Sequence, residues 1–279
     1  MADLKSSIAS PHPSSANPMP SEQLRDDISP EPLHMVVDDN LLWENGQIVR
    51  IKFLDDLSEL QDKVKNIIRG VYQPLVHLTL EFVDGGQSDI RISFNEALDS
   101  HSFVGTAARC KKPEEHTLNL RVKTSTPQNT LERHVLHEFG HALGALHEHS
   151  SPNCPINWDD EKVYRSYKHD LGWDKKLVDL NVLRKESSAD IRSSPFDPTS
   201  IMMYSFSPNL TRNGPFTRVN SGLSETDKYF ISHAYPKPKE GQASSTALAD
   251  APRYRAKYSL ITQRVRMWFY NLVNQAFRV

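Results

Sequence analysis

The sequence lacks the features that mark several classes of protein. Its only cysteines, Cys110 and Cys154, permit one internal disulfide at most, which excludes a disulfide-rich scaffold. No apolar run approaches the ~20 residues of a membrane span. The N-terminal stretch has no continuous apolar core of about 7 to 15 residues, so it predicts no secretory signal. With 33 basic and 35 acidic side chains the formal charge is -2, and no global field favours nucleic acid as a partner.

The composition indicates one large domain with two tails. Hydrophobic residues make up 38% of the 279 residues, which is enough for a sizeable core. Residues 1–33 hold six of the 18 prolines among serines and charges, so we predict a disordered tail or pro-segment at residues 1–40. Residues 237–252 indicate a linker. Residues 253–279 carry six basic side chains and no acid, which predicts a helix that binds a partner or a membrane surface, or packs back onto the domain.

Hydrophobic periodicity predicts the order strand, helix, strand, strand for the start of the domain. The strands are predicted after a turn at Asn45-Gly46 up to Phe53, at residues 75–82 and 89–94, and then at residues 102–106 and 117–122. Helices are predicted at residues 57–71, at residues 158–171 and from about residue 224 to 235. A central helix is predicted to start near Thr130, with Asn129 and Glu132 as its capping box.

Three histidines and a glutamate in residues 137–147, His-Glu-Phe-Gly-His-Ala-Leu-Gly-Ala-Leu-His, have the spacing of a site for a single metal ion. His137 and His141 are four residues apart, so they share one face of a helix. Gly144 would end that helix and turn His147 back toward the same ion, because glycine adopts positive φ at little cost. Five fixed residues give roughly one chance match in ten thousand, which makes scattered core histidines a poor alternative.

This pattern resembles the HExxHxxGxxH signature of the metzincin zinc peptidases. Further residues are most similar to the astacin-type members: Glu148 and His149 after the third histidine, Pro-Ile-Asn-Trp-Asp at residues 155–159, and Ser-Ile-Met-Met-Tyr at residues 200–204. The resemblance covers roughly residues 43–236. It implies an α+β, zincin/metzincin-like fold for residues 41–236, in which a twisted mixed sheet and an active-site helix are followed by a smaller C-terminal lobe.

The resemblance also implies an activity and a role for each site residue. One zinc ion would be held by His137, His141 and His147, and Glu138 would act as the base for a zinc-bound water. Met202 would form the Met-turn beneath the metal, and Tyr204 would be an extra ligand that moves to the oxyanion. The chain would then be a zinc metalloendopeptidase acting on proteins or peptides. Met203 departs from the histidine common in astacins, at a position that is not a ligand.

Two other functions are compatible with the same motif. A catalytically silent zinc-containing binding protein of this fold has no need of a base, and the presence of Glu138 therefore favours an enzyme. A serralysin-like peptidase would share the tyrosine but usually brings calcium-binding glycine-aspartate repeats, which this sequence lacks. Astacin-like proteins are usually secreted, so the missing signal leaves the localisation open. By analogy with astacin pro-segments, Asp38 or Asp39 could approach the zinc, and deleting residues 1–40 would then raise activity.

For several residues near the motif the sequence leaves two alternatives open. Two free, buried thiols are the default expectation for the cysteines, with a bridge between them as the alternative. His134 and His149 are expected at the surface or in a supporting position, because three ligands are already assigned. In folds of this kind an edge strand pairs with substrate through main-chain hydrogen bonds, and residues 118–122 are the candidate. An ordinary structural strand is the alternative there.

Overall fold

The structure, a computed structural model, describes residues 39–186, 195–214 and 219–238. The predicted basic helix at residues 253–279, and nearly all of the predicted tail and linker, lie outside these ranges. No helix within them is long and apolar enough to cross a membrane.

The described chain begins with two parallel strands joined by a helix. They are β1 (Ile48–Phe53), α1 (Ser58–Val71) and β2 (Thr79–Phe82). The predicted turn precedes β1, with Gly46 at φ 86°. The buried face of α1 consists of Leu60, Val64, Ile67 and Ile68, which are the residues with helical spacing in the sequence. Strand, helix and strand therefore form where the periodicity predicts them, although β2 is shorter than expected.

The sheet of the described chain has five strands in the order β2-β1-β3-β5-β4. The remaining strands are β3 (Ile90–Ser93), β4 (His101–Ser102) and β5 (Leu118–Asn119). β1 pairs in parallel with β2 and β3, and β3 pairs in parallel with β5. Only β4 runs antiparallel to its neighbour, β5. The sheet is thus mixed, as the α+β assignment requires.

A long central helix and a closing helix pack with the sheet around the main core. The central helix is α2 (Gln128–Ala142) and the closing helix is α5 (Glu225–Ala234). Leu131, Val135 and Phe139 of α2 are buried in this core. The sequence allows Ser224 or Thr226 as the cap of this helix, and Ser224 takes that position, in a capping box with Asp227.

A second, smaller core follows His147, as the fold class implies. It includes α3 (Asp160–Leu171) and α4 (Lys175–Val178), and its buried members are Cys154, Ile156, Trp158, Val163, Val178, Val182, Met203, Phe206 and Leu210. Asp159 caps α3, and Gly172 ends it in the left-handed conformation. Met202 belongs to the main core and Met203 to the second one, so the chain passes between the two cores at these residues.

Three predicted details of the secondary structure are wrong. The strand predicted at residues 102–106 ends at Ser102, because Gly105–Cys110 forms a 3-10 helix. The central helix begins at Gln128 instead of near Thr130, with Pro127 at its cap position. The predicted capping box does not form, since the side chain of Asn129 accepts a hydrogen bond from the adjacent amide of Thr130. Both cysteines are free thiols, and only Cys154 is buried.

The candidate substrate strand is also wrong in part. β5, at the start of residues 118–122, lies between β3 and β4 and has a partner on each side. Two-residue strands carry too little pattern to reveal their order from the sequence. Within the described chain the edge on this side of the sheet belongs to β4.

Candidate metal centre

Helix α2 and the turn after it bring the three motif histidines together. The helix ends at Ala142, and Gly144 follows with φ +99°, as the spacing predicts. The amide of Gly144 donates to the carbonyl of His141 at 2.8 Å, which closes the turn. The chain then returns His147 to the face that carries the first two histidines. A potential ligand atom on each of the three lies within 4.8 Å of those on the other two.

Hydrogen bonds at the Nδ1 atoms orient the imidazoles. His137 Nδ1 lies 2.7 Å from the carbonyl oxygen of Ile201, and His141 Nδ1 lies 2.7 Å from that of Ala145. Because a carbonyl only accepts, both Nδ1 atoms carry the proton and both Nε2 atoms present a lone pair. His141 Nε2 lies 2.9 Å from His147 Nε2, and His137 Nε2 is buried without a hydrogen-bond partner among the described residues. These converging nitrogens fit a metal ion.

Burial also sets the charges at this site. It lowers the pKa of His137 to about 4 and that of His141 to about 3, and it lowers the pKa of His147 well below the usual value. All three imidazoles are therefore neutral at pH 7, which is the form that binds zinc. Burial raises the pKa of Glu138 to about 8, and the charge of a bound dication would act in the opposite direction.

The other predicted site residues lie close to the histidines. Met202 is fully buried beneath α2, where a Cβ atom added to Gly140 would lie 2.7 Å from its sulfur. The ring of Tyr204 stacks on His137 with 5.4 Å between centroids, and it contacts His147 in a tilted arrangement at 4.1 Å. Tyr204 remains 39% exposed, yet desolvation raises its pKa, with Glu138 adding to the rise. The structure thus brings all six predicted site residues together.

A cleft of about 620 Å³ opens next to these residues. His137, Glu138 and Tyr204 line it together with Met203 and the exposed side chain of Val219. The segment that leads into β4 and the segment after β5 form another part of its wall, through Glu96, Asp99, Ser100, Arg121, Val122 and Lys123. Arg121 pairs with Asp99 at 2.7 Å and Lys123 pairs with Glu96 at 2.8 Å.

Among solved structures, two of myroilysin are similar to the chain, each at 36% sequence identity. One matches with a TM-score of 0.70 over 73% of this chain and 99% of that chain, and the other with 0.56 over 71% and 86%. A third is high choriolytic enzyme 1, a hatching enzyme zinc-protease from Oryzias latipes (Medaka fish), at 16% identity and a TM-score of 0.46 over 71% and 95%. No protein-family model and no curated protein sequence matches.

An identity of 36% over almost the whole length of the first myroilysin structure is a family relationship. The chain belongs to the astacin-like metzincins. It is accordingly a zinc metallopeptidase, and one catalytic zinc ion fits its histidine cluster.

A residue of the closing helix is hydrogen-bonded to the Met-turn of this peptidase. The sequence did not indicate this contact. Asp227 is fully buried, and its carboxylate accepts hydrogen bonds from the amide of Ile201 and the hydroxyl of Ser200, both at 2.7 Å. The carbonyl oxygen of Ile201 in turn accepts a hydrogen bond from the Nδ1–H group of His137. The capping-box spacing identifies Asp227 as the partner of the cap residue Ser224, but it gives no sign of a contact 26 residues away.

Of the two positions expected for His134 and His149, at the surface or supporting the site, neither residue takes the fully exposed one. His149 is fully buried, and its ring stacks on His147 with 5.1 Å between centroids. Its Nε2 donates to the carbonyl of Asn181 at 3.1 Å. His134 is half-buried and lines the cleft, one helical turn before His137.

The positive φ of Gly144 leads to a prediction about zinc affinity. In Gly144→Val a β-branched residue would be strained at φ +99°, and its Cβ would lie 2.6 Å from the Leu42 side chain. We expect weaker zinc binding, measured by competition with a chelator, although no ligand changes. Gly172→Val is the matched control, because Gly172 has φ +68° with open space around it. Full zinc occupancy and activity in Gly144→Val would contradict the role of this turn.

The contact between Asp227 and the Met-turn leads to a second prediction. In Asp227→Ala both carboxylate oxygens are removed, so the amide of Ile201 and the hydroxyl of Ser200 would lose their acceptor. We expect zinc affinity to fall by about 10- to 100-fold, as for other groups that orient a metal ligand. Ser224→Ala removes the other half of the capping box and is expected to lower only thermal stability. Equal zinc affinities in the two variants would show that Asp227 serves the helix alone.

Proposed function

We propose that this peptidase hydrolyses internal peptide bonds of proteins, with Glu138 as the general base and Tyr204 as the oxyanion donor. The observation that carries the proposal is the convergence of three imidazoles, with Glu138 and one of them, His137, lining one cleft. His137, His141 and His147 would hold the zinc ion. When bound, zinc supplies Lewis acidity, which lowers the pKa of a water molecule and polarises a carbonyl group.

Glu138 is placed to move the proton of the attacking water. It follows the first ligand on α2, so its carboxylate faces the cleft without being needed as a ligand. As a base it accepts a proton from water during attack on the peptide carbonyl, and it then delivers that proton to the departing amine. Its buried setting favours acceptance of that proton, because desolvation penalises the charged carboxylate.

Tyr204 supports the proposal through its position beside the ligands. Its hydroxyl has no hydrogen-bond partner among the described residues, and its ring contacts His137 and His147. Desolvation raises the pKa of this phenol, so the group keeps its proton at neutral pH. A fixed, neutral O–H donor in a cleft is suited to stabilise the negative charge that forms on the carbonyl oxygen.

The edge of the sheet offers a docking mode for an extended substrate. β4 has a strand partner only on the side of β5 in the described chain, and Ser100 just before it lines the cleft. A peptide laid along the outer edge of β4 could pair through main-chain hydrogen bonds, the mode known as β-augmentation. Such pairing would leave sequence preference to the side chains along the cleft.

The proposal is tested by incubating the zinc-loaded chain with an unfolded protein and sequencing the fragments by mass spectrometry. Internal fragments that disappear on chelation and return with added zinc would support an endopeptidase. No cleavage at full zinc occupancy would instead favour a zinc-containing binding protein of the same fold. Release of terminal residues alone would contradict the internal cleavage.

A further inference from the structure

A hydrogen bond links the central helix to the segment before the edge strand, inside the cleft. His134 Nδ1 lies 2.9 Å from the hydroxyl oxygen of Ser100, and both side chains line the cleft. His134 is one helical turn before His137, so its ring lies on the cleft face of α2. Neither residue has a role in the chemistry derived above.

The surrounding hydrogen bonds allow this imidazole to carry its proton on Nε2. Ser100 Oγ accepts a hydrogen bond from the amide of Arg121 at 3.0 Å, and its own proton can be donated to His134 Nδ1. Desolvation, with a contribution from Arg133, lowers the pKa of His134, so the imidazole is neutral at pH 7. With Ser100 as the donor, the one proton of the imidazole is on Nε2. No acceptor for this N–H lies among the described residues.

The nearby carboxylates do not serve as that acceptor. Asp99 pairs with Arg121 and Glu96 pairs with Lys123. The described residues give Nε2–H no hydrogen-bond partner, so this group is available to an acceptor on a bound peptide. An extended peptide along β4 presents a backbone carbonyl at regular intervals.

We propose that His134 Nε2–H donates a hydrogen bond to a backbone carbonyl of the bound peptide, away from the bond that is cleaved. This inference rests on the proposed function and adds a substrate-binding residue to it. Ser100 is the positioning residue, because a hydroxyl that donates to Nδ1 keeps the imidazole proton on Nε2. The arrangement recognises the peptide backbone and not a particular side chain, so it suits a peptidase that accepts many sequences.

Two isosteric substitutions separate this role from a purely structural one. A glutamine amide reaches the position of Nε2, whereas an asparagine amide reaches only that of Nδ1. If His134 binds substrate, His134→Gln should retain function and His134→Asn should behave like His134→Ala. If His134 merely ties α2 to Ser100, asparagine should be the variant that retains function.

The experiment measures kcat and KM of the zinc-loaded full chain on nested peptides that grow by one residue at a time. For His134→Ala we expect KM to rise about three- to tenfold with kcat unchanged, as for one neutral hydrogen bond made equally in ground and transition states. The difference should appear only once the peptide is long enough to reach the subsite. His169→Ala, which removes an exposed histidine elsewhere, is the control.

Peptide affinity in a Glu138→Gln background distinguishes this inference from the proposed function. If the wild-type chain cleaves no peptide, the proposed function is wrong. The inference would still be supported if adding His134→Ala to Glu138→Gln lowered the affinity for peptide. If the wild-type chain cleaves peptides but His134→Ala matches it at every length, the inference alone is wrong. An equal loss on all lengths, or rescue by asparagine and not by glutamine, would also overturn it.

Discussion

Glu138→Gln is expected to fold and bind zinc like the wild-type chain while losing roughly 10²- to 10⁴-fold in kcat, the usual contribution of a general acid-base group. An amide has nearly the same shape as the carboxylate but cannot accept the proton of water. The three histidines are untouched, so the metal should remain. Activity is measured on an unfolded protein, with the zinc content determined on the same sample.

Glu132→Gln is the matched control for this variant. Glu132 is on the same helix, where it accepts a hydrogen bond from Gln128 and does not line the cleft. It should retain wild-type rates. If Glu138→Gln also retained them at full zinc occupancy, the carboxylate would have no part in catalysis, and the base would have to be found elsewhere.

Tyr204→Phe is the other variant with a large expected effect, about 10²- to 10³-fold in kcat, as when a single oxyanion donor is removed. Phenylalanine preserves the ring contacts with His137 and His147, so zinc should stay bound. If the hydroxyl acts mainly in the transition state, kcat and kcat/KM should fall together with little change in KM. Steady-state kinetics on a single peptide measures both.

Two other outcomes for Tyr204→Phe would contradict this expectation. Loss of zinc would make the tyrosine an essential ligand, with the oxyanion role secondary. Wild-type kinetics would mean that Tyr204 is a packed aromatic residue only, since phenylalanine keeps nearly all of its buried area. Tyr229→Phe, on α5 and outside the cleft, controls for the loss of a tyrosine hydroxyl.

The metal centre could be predicted because its determinants are local in the sequence. His137 and His141 share a helix face by their spacing, and Gly144 supplies the positive φ that returns His147. The Met-turn is different, since two methionines beside a tyrosine would suggest only core packing. The resemblance to a family placed Met202 and Tyr204, and the structure brings them to the histidines.

What could not be predicted depends on contacts between distant segments. β4 and β5 have two residues each, so their order in the sheet is decided by packing and not by periodicity. Asp227 reaches the Met-turn from another helix, and no local pattern indicates that contact. The sequence left His134 at the surface or in a supporting position, because its contact is with Ser100, which is 34 residues away in the chain.

The most direct test of the central claim is a zinc titration of the metal-free chain while peptide hydrolysis is recorded. The account predicts no hydrolysis at the start, a linear rise with added zinc and a plateau at one zinc ion per chain. Replacing His137, His141 or His147 by alanine should remove both the tight binding and the rise. Hydrolysis by the metal-free chain, or full zinc binding with any one of these histidines replaced, would contradict it.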